Sequence, residues 1–389
     1  GSYDSKDRIT DNKNLIPTYQ SVESLKLDAT YVCDDYYGLL DDGEGYSANG
    51  ALDIGIGRFP VKSPEEAAIM RVKAENYLAY DQSITGNWRN TVTLIAHDED
   101  IDKHFLNAEE LANYISVNQP VFNIRKIYLD AYKRVNIPGG YRYPDVNKAI
   151  NDQVKEGALL INYIGHGGET GWAHSRVLTV PEINSWNNID NMPVFITATC
   201  SFGRFDDPAL LSAGEMVVLN PKGGGIALFT TTRLAYSAFN HSLNRSFTRY
   251  FFEKPDGENN TLGNIMMLAK NANNNNVYIR NFVLLGDPSL QPAKPRYQIQ
   301  SSTTQMGVTK TNTAESGLTK VSVNGSIKDH HGNTADDYNG ILYPVVFDKP
   351  VAYTTNANHS SSSPRQFTIQ NSVIYKGRVS VENGKFSFD

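Results

Sequence analysis

Apolar residues in this chain gather in short, unbroken runs separated by amphipathic stretches. Asn90-Thr-Val-Thr-Leu-Ile-Ala96, Asn123-Ile-Arg-Lys-Ile-Tyr-Leu129, Ala158-Leu-Leu-Ile-Asn-Tyr-Ile164, Met192-Pro-Val-Phe-Ile-Thr-Ala-Thr199 and Gly223-Gly-Gly-Ile-Ala-Leu-Phe-Thr230 have strand length. Runs this short and this apolar predict strands buried on both faces, the habit of parallel sheets. Helical patterns lie between them, over 107–115, 145–156, 180–189, 209–219 and 240–253. This rhythm predicts an α/β fold with a mostly parallel sheet and helices on both faces. An earlier α/β unit is expected over 3–87. There Asp53-Ile-Gly-Ile-Gly-Arg-Phe59 alternates like a strand, and Ser63-Pro-Glu-Glu66 opens a helix with a capping Ser, an early Pro and an acid three residues past the cap. Residues 88–295 form the main α/β unit. From 296 to 389 the pattern changes to alternating strands between Gly, Asn and Asp turns, as in a small β-sandwich whose completeness at its end is left open.

The length of 389 residues fits two or three domains, and 40% hydrophobic with 20% charged residues fits globular ones. A net charge of −6 without any basic run argues against a nucleic-acid partner. No apolar stretch reaches the roughly 20 residues of a membrane helix. The chain opens with Gly1-Ser2, the remnant expected of an expression tag, and ends inside a strand-like stretch, so a piece of a longer protein is expected.

The apolar runs matter for chemistry because of what ends them. One ends at Gly165-His166-Gly167-Gly168, another at Cys200-Ser201-Phe202-Gly203. Ligands bind at the carboxyl ends of strands in open α/β sheets. A thiol and an imidazole placed there predict a nucleophile and its base, Cys200 and His166. The backbone N–H groups of Gly167 and Cys200 are candidates for an oxyanion hole. An acid could orient His166. The loop His97-Asp-Glu-Asp100 ends another strand, and Asp98 and Glu99 lead as the third member, with the choice between them open. His97 and His104 read as loop or capping residues. Trp172, Ser201, Thr231 and Tyr236 are candidate walls of a substrate pocket.

Metal is the rival reading. His166, Glu169 and His174 follow no common zinc spacing. Asp34-Asp35 and Asp41-Asp-Gly-Glu44 offer hard oxygen ligands for a structural Ca²⁺, without the EF-hand pattern. No cofactor is required by the thiol chemistry itself. Cys33 and Cys200 are expected to be unpaired, since a chain of this size needs no disulfide.

Gly165-His-Gly-Gly-Glu-Thr170 with Trp172 resembles the Gly-His-Gly-Ser-Glu-Thr…Trp segment of the gingipain-type cysteine peptidases. Ala198-Thr-Cys-Ser-Phe-Gly-Arg-Phe-Asp206 is similar to their nucleophile strand. Asp34-Asp-Tyr-Tyr-Gly-Leu-Leu-Asp-Asp-Gly-Glu-Gly45, Leu52-Asp-Ile-Gly-Ile-Gly-Arg-Phe-Pro60, Phe282-Val-Leu-Leu-Gly-Asp-Pro-Ser289 and Asn371-Ser-Val-Ile-Tyr-Lys-Gly377 extend the likeness over nearly the whole chain. The family implies a caspase-like α/β catalytic domain in two subdomains followed by an immunoglobulin-like β module, with Cys200 as nucleophile and His166 as base. Within the family, these motifs point to the processing peptidase of type IX secretion. That implies a sortase-like enzyme at the outer membrane and cell surface. It would remove the C-terminal signal domain from secreted cargo, pass the new C-terminus to water or to a lipopolysaccharide amine, and work beside other secretion components. A free degradative endopeptidase of the same fold is the alternative, and a non-catalytic secretion scaffold is a third. Two departures stand out: Gly168 replaces a common Ser, and no acidic residue can be placed as a pocket for basic side chains.

Overall fold

The computed structural model describes residues 16–21, 30–45, 49–79, 86–207, 209–273, 277–306, 320–329 and 331–389. Its centre is a six-stranded sheet. The strands are β1 (Thr91–Ala96), β2 (Asn123–Tyr128), β3 (Leu160–Ile164), β4 (Val194–Ala198), β5 (Ala227–Thr231) and β6 (Phe282–Leu285), in the order β6-β5-β4-β3-β1-β2. The first five run parallel and β6 pairs antiparallel with β5. Every residue of β3, β4 and β5 is buried, which is why their sequences read as continuous apolar runs.

Helices cover both faces. They are α1 (Pro64–Leu78), α2 (Lys103–Asn118), α3 (Pro144–Glu156), α4 (Val180–Ser185), α5 (Ala213–Leu219), α6 (Ser237–Phe252) and α7 (Leu262–Asn271). Ile95, Ile161, Phe195 and Leu228 point to one face, into a core shared with Met70 of α1, Ile150 of α3, Ile183 of α4 and Val217 of α5. The neighbouring residues along the strands point the other way. There Phe229 meets Phe247 of α6, and Asn162 exchanges two hydrogen bonds with Asn244 of the same helix, at 2.7 and 3.0 Å. Those bonds satisfy a buried amide pair that would otherwise cost stability.

Helix starts follow the local chemistry. Ser63 caps α1 by accepting from the Glu66 N–H, with Pro64 in the first turn. Ser212 and Glu215 form a reciprocal capping box at α5.

Residues 3–87, read as an N-terminal subdomain, fall with the sheet in one compact unit that comprises Gly1–Lys294 and Thr354–Phe367. Residues 3–15 of that expected unit lie outside the described residues. Asp53–Phe59 forms no ladder of its own. Arg58 alone makes a bridge, to Leu285 at the end of β6. The glycines in this stretch are there for contact: a Cβ on Gly55 would lie 2.3 Å from the Gly263 backbone, and one on Gly57 would lie 2.7 Å from the Gly286 carbonyl. Thus the alternation Ile-Gly-Ile-Gly marks close backbone approach, where a half-buried strand was expected.

The second unit, Pro295–Tyr353 with Thr368–Asp389, has β-strands as its only regular structure among the described residues. Gln298–Met306, Lys320–Lys328 and Lys385–Phe388 form a three-stranded antiparallel sheet. Ile327, Ala335, Val381 and Phe386 form its small core.

Candidate active site

Three strands end in one row. Ala96 of β1, Ile164 of β3 and Ala198 of β4 are lateral partners. Two residues past that row lie His166 on one strand and Cys200 on the next. The ladder continues into the loops through His97 N–H to the Ile164 carbonyl at 3.0 Å and Gly165 N–H to the Ala198 carbonyl at 3.4 Å. Adjacent strands lie about 4.8 Å apart, so the register sets the imidazole and the thiol on neighbouring strand ends.

The His166 loop is held from below. The Tyr163 hydroxyl donates to the His166 carbonyl at 2.6 Å, and Ala173 N–H donates to the same oxygen at 2.8 Å. Tyr163 in turn stacks on Trp172, with centroids 4.3 Å apart. A Cβ on Gly165 would fall 2.4 Å from the His97 Cβ, and one on Gly167 would fall 2.5 Å from Thr199 Oγ1. Both glycines are required for the His loop to lie this close to its neighbours.

Cys200 is half-buried. Its Sγ donates to the Ala235 carbonyl at 3.6 Å, and the Ala235 N–H donates to the sulfur at 3.5 Å. The chain turns sharply after it: Ser201 has φ 51° and its N–H donates to the Arg233 carbonyl. Such left-handed backbone at a residue with a side chain is costly and recurs at functional turns. Among the described residues no backbone carbonyl accepts a hydrogen bond from the Cys200 N–H.

The acidic loop after β1 supplies partners for His166. Asp100 Oδ2 lies 3.2 Å from His166 Nε2, and Glu99 Oε2 lies 3.8 Å from it. Burial pushes the Asp100 carboxyl up, but His166, His104 and the hydrogen bond from His166 outweigh it, leaving the carboxyl below its ordinary range. At Glu99 burial again pushes the carboxyl up, and the Tyr141 hydroxyl with the nearby histidines overcomes it, so this carboxyl too is lowered. Asp98 is differently placed. It is buried, accepts from the Tyr143 hydroxyl, lies 3.6 Å from His97, and is held above its ordinary range chiefly by burial. Of the two acids expected to lead, Glu99 therefore faces His166 and Asp98 does not, while Asp100 approaches more closely than either.

This loop is strained. Asp100, Ile101 and Asp102 have φ of 62°, 54° and 61° in succession, at roughly 1–2 kcal/mol for each residue in that region. Buried Asp102 is secured by the Ser363 N–H at 3.1 Å and Arg365 Nε at 2.9 Å, and the Ser362 hydroxyl donates to the Asp98 carbonyl. The segment Thr354–Phe367, remote in sequence, thus braces the acids that face His166.

Two expected pocket residues are not at a surface. Trp172 and Thr231 are both fully buried. Trp172 is packed by Tyr163 and Phe202, and Thr231 donates its hydroxyl to the Thr199 carbonyl. They shape the His and Cys loops from within the core and cannot line a pocket. Ser201 is half-buried beside the thiol, and Tyr236 is 50% exposed at the start of α6 with its ring against Tyr278. The acids near Cys200 have basic partners: Asp206 makes a two-point pair with buried Arg233, and Glu169 pairs with Arg204.

Two histidines assigned to loop or capping roles are buried in the site. His97, His104 and His166 each offer a ring nitrogen, all within 4.8 Å of one another. Burial, ahead of neighbouring charges, pushes both His97 and His104 down to about 4, so their rings are neutral at neutral pH. Asp34 and Asp35, considered as Ca²⁺ ligands, are occupied by cations instead. Asp34 pairs with Arg58, and Asp35 with Lys270 and Arg280. Glu44 accepts from the N–H groups of Asp41 and Ala51 in its own loop. Cys33 and Cys200 are both free thiols, and burial holds the Cys33 thiol high.

The model of peptidase family C25 matches residues 1–293. This chain belongs to peptidase family C25, the gingipain-type cysteine peptidases. It is 25% identical over 174 residues to gingipain R2 of Porphyromonas gingivalis, covering 44% of this chain and 21% of that protein. Gingipain R1 of the same organism gives the same identity and covers 16% of its own length. The match thus spans 21% and 16% of the length of these two relatives. The crystal structure of the Arg-specific cysteine proteinase gingipain R aligns over 92% of this chain and 72% of its own, with a TM-score of 0.53 and 18% identity. The complex of the RgpB pro- and mature domains aligns with a TM-score of 0.54 over 92% of this chain and 73% of that one, at 18% identity. The gingipain fold is therefore shared. A dimeric latent PorU from Porphyromonas gingivalis covers 95% of this chain and 29% of its own at a TM-score of 0.34 and 20% identity.

Proposed function

We propose that this chain is the catalytic part of a PorU-like processing peptidase with Cys200 as nucleophile and His166 as its base. The observation that carries the reading is the shared register: His166 and Cys200 each follow laterally paired residues, Ile164 and Ala198, by two positions on adjacent parallel strands. The Cys200 thiol passes its proton to His166 Nδ1, since Nε2 faces Asp100 and Glu99, as sulfur attacks the substrate carbonyl. The N–H groups of Cys200 and Gly167 would receive the developing oxyanion. His166 then returns the proton to the leaving amine, and a thioester remains. Water or an amine attacks the thioester, gives its proton to His166, and releases the thiol. Asp100, with Glu99 beside it, keeps the imidazole oriented and supports its charged form. The Ala235 N–H supports the thiolate.

The substrate reading follows the sequence motifs: secreted cargo carrying a C-terminal signal domain, cut at the outer membrane and cell surface beside other type IX components. Transfer to a lipopolysaccharide amine differs from hydrolysis only in what attacks the thioester. The pairing of Asp206 and Glu169 with arginines disfavours a gingipain-like preference for basic side chains near Cys200. The test is Cys200→Ala in the full-length protein in its native host. Cargo should accumulate with its C-terminal domain attached. Normal maturation would exclude the peptidase reading.

A further inference from the structure

Of the three histidines at the strand ends, the proposed chemistry uses one. Its ring lies edge-on to both others, with centroids 5.5 Å from His97 and 5.4 Å from His104. His97 and His104 are 1% and 4% exposed, and neither His97 ring nitrogen nor His104 Nε2 has a hydrogen-bond partner among the described residues. Buried polar atoms left this way are costly and call for a ligand. We propose that His97, His104 and His166 bind one divalent transition-metal ion of the zinc type, and that this ion holds the peptidase in a reversible inactive state by occupying its base.

The donor set chooses the class of ion. Imidazole nitrogens suit Zn²⁺ and its neighbours, whereas Ca²⁺ and Mg²⁺ require oxygen. A tetrahedral ion about 2.0–2.1 Å from each nitrogen needs nitrogens roughly 3.3 Å apart. The three lie within 4.8 Å, so a modest closing of the rings suffices. His166 can swing toward the ion, since its side chain is 38% exposed, whereas His97 and His104 are buried and close on it only by turning their rings. A fourth ligand is at hand: Asp100 Oδ2 lies 3.3 Å from His104 Nε2 and 3.2 Å from His166 Nε2. The same carboxylate would orient His166 in the free enzyme and share the ion in the loaded one. The three histidines come from the β1 loop, the first turn of α2 and the β3 loop, a spread that matches no zinc spacing readable in sequence.

Metal binding stands on the geometry alone, whereas inhibition rests on the reading of His166 as base. With the imidazole lone pair on the ion, the Cys200 proton has no acceptor. The experiment uses full-length protein stripped of metal and titrated with Zn²⁺ and with Co²⁺. One ion per chain is expected, and the cobalt spectrum should lack a thiolate charge-transfer band. His104→Gln and His97→Gln should each weaken binding by more than the roughly 10–100-fold that loss of an outer-shell partner costs. Saturating Zn²⁺ should lower peptidase activity by roughly 100-fold or more, reversed by a chelator, and each variant should lose that sensitivity whatever its own rate. Should His97→Gln fail to fold by near-ultraviolet circular dichroism, His104→Gln carries the test alone. Affinity unchanged in His104→Gln, or abolished by Cys200→Ala with a thiolate band in the wild type, overturns the site. Stoichiometric, histidine-dependent zinc binding to a protein inactive with and without metal would sustain the site and remove the peptidase reading. An active enzyme indifferent to Zn²⁺ would do the reverse.

Discussion

At the scale of the residue, the site is a thiol and an imidazole set by register and tuned by a strained acidic loop. If Asp100 orients His166, Asp100→Asn should lower kcat/KM by roughly 10–100-fold. That is less than the ~10⁴-fold lost where a single acid does this work, because Glu99 remains 3.8 Å from the ring. Glu99→Gln should cost less than Asp100→Asn, and Asp98→Asn less again. Steady-state kinetics of each variant on one activated peptide substrate check the order. The placement of His166 and Cys200 beyond the ends of adjacent strands was legible because each follows an unbroken apolar run, and such runs mark buried strands. Asp100 was not, because its approach depends on three successive left-handed residues held by Arg365 and Ser363, far away in the chain. Trp172 looked like a pocket wall from its place after the His loop. Its burial against Tyr163 shows that neighbours in sequence can support a site from below.

At the scale of the element, the parallel strands and most helices follow directly from hydrophobic runs and capping residues. The exceptions have physical causes. The antiparallel β6 is an apolar run of only four residues, too short to set its direction, α7 opens after Thr261 with no acid in its first turn, and Asp53–Phe59 owes its glycines to backbone packing. Gly55→Ala would force a Cβ to within 2.3 Å of the Gly263 backbone. A loss of about 1–3 kcal/mol or more is expected, read as a lower denaturant midpoint with unchanged slope. Helix α1 carries a second liability. Lys73 is buried, donates to the Val218 carbonyl at 2.6 Å, and is pushed down to about 7 by desolvation. Between that value and its ordinary 10.5 the unfolded chain binds more protons than the folded one. Stability should therefore rise with pH across this window, and the cost of the charge is fully present below about pH 7. Lys73→Met should stabilise the protein at pH 7 by on the order of 2 kcal/mol, with the gain shrinking toward pH 10. A gain that is constant with pH would show that the charge of Lys73 is not the cause.

At the scale of the whole molecule, the division into units does not follow the chain. Thr354–Phe367 belongs to the catalytic unit although strands of the β unit lie on either side of it. Buried Asp130 accepts from the N–H groups of Ala357 at 3.0 Å and Asn358 at 2.6 Å, and Phe367 packs on Phe105 and Tyr128. The returning segment was not legible in the sequence, since its polar residues carry no periodic signal. Removal of residues 295–389 should accordingly lower the Tm of the catalytic unit and weaken the bracing of Asp100, and Asp130→Ala in the full chain should reproduce part of the loss. The nucleophilic pairing of Cys200 with His166 is read most directly by intact-protein and peptide mass spectrometry of full-length enzyme quenched during turnover of an activated peptide ester. One acyl group per chain is expected, on Cys200, absent in Cys200→Ala and formed far more slowly in His166→Ala. Acylation of another residue, or equal labelling of Cys200→Ala, would contradict it.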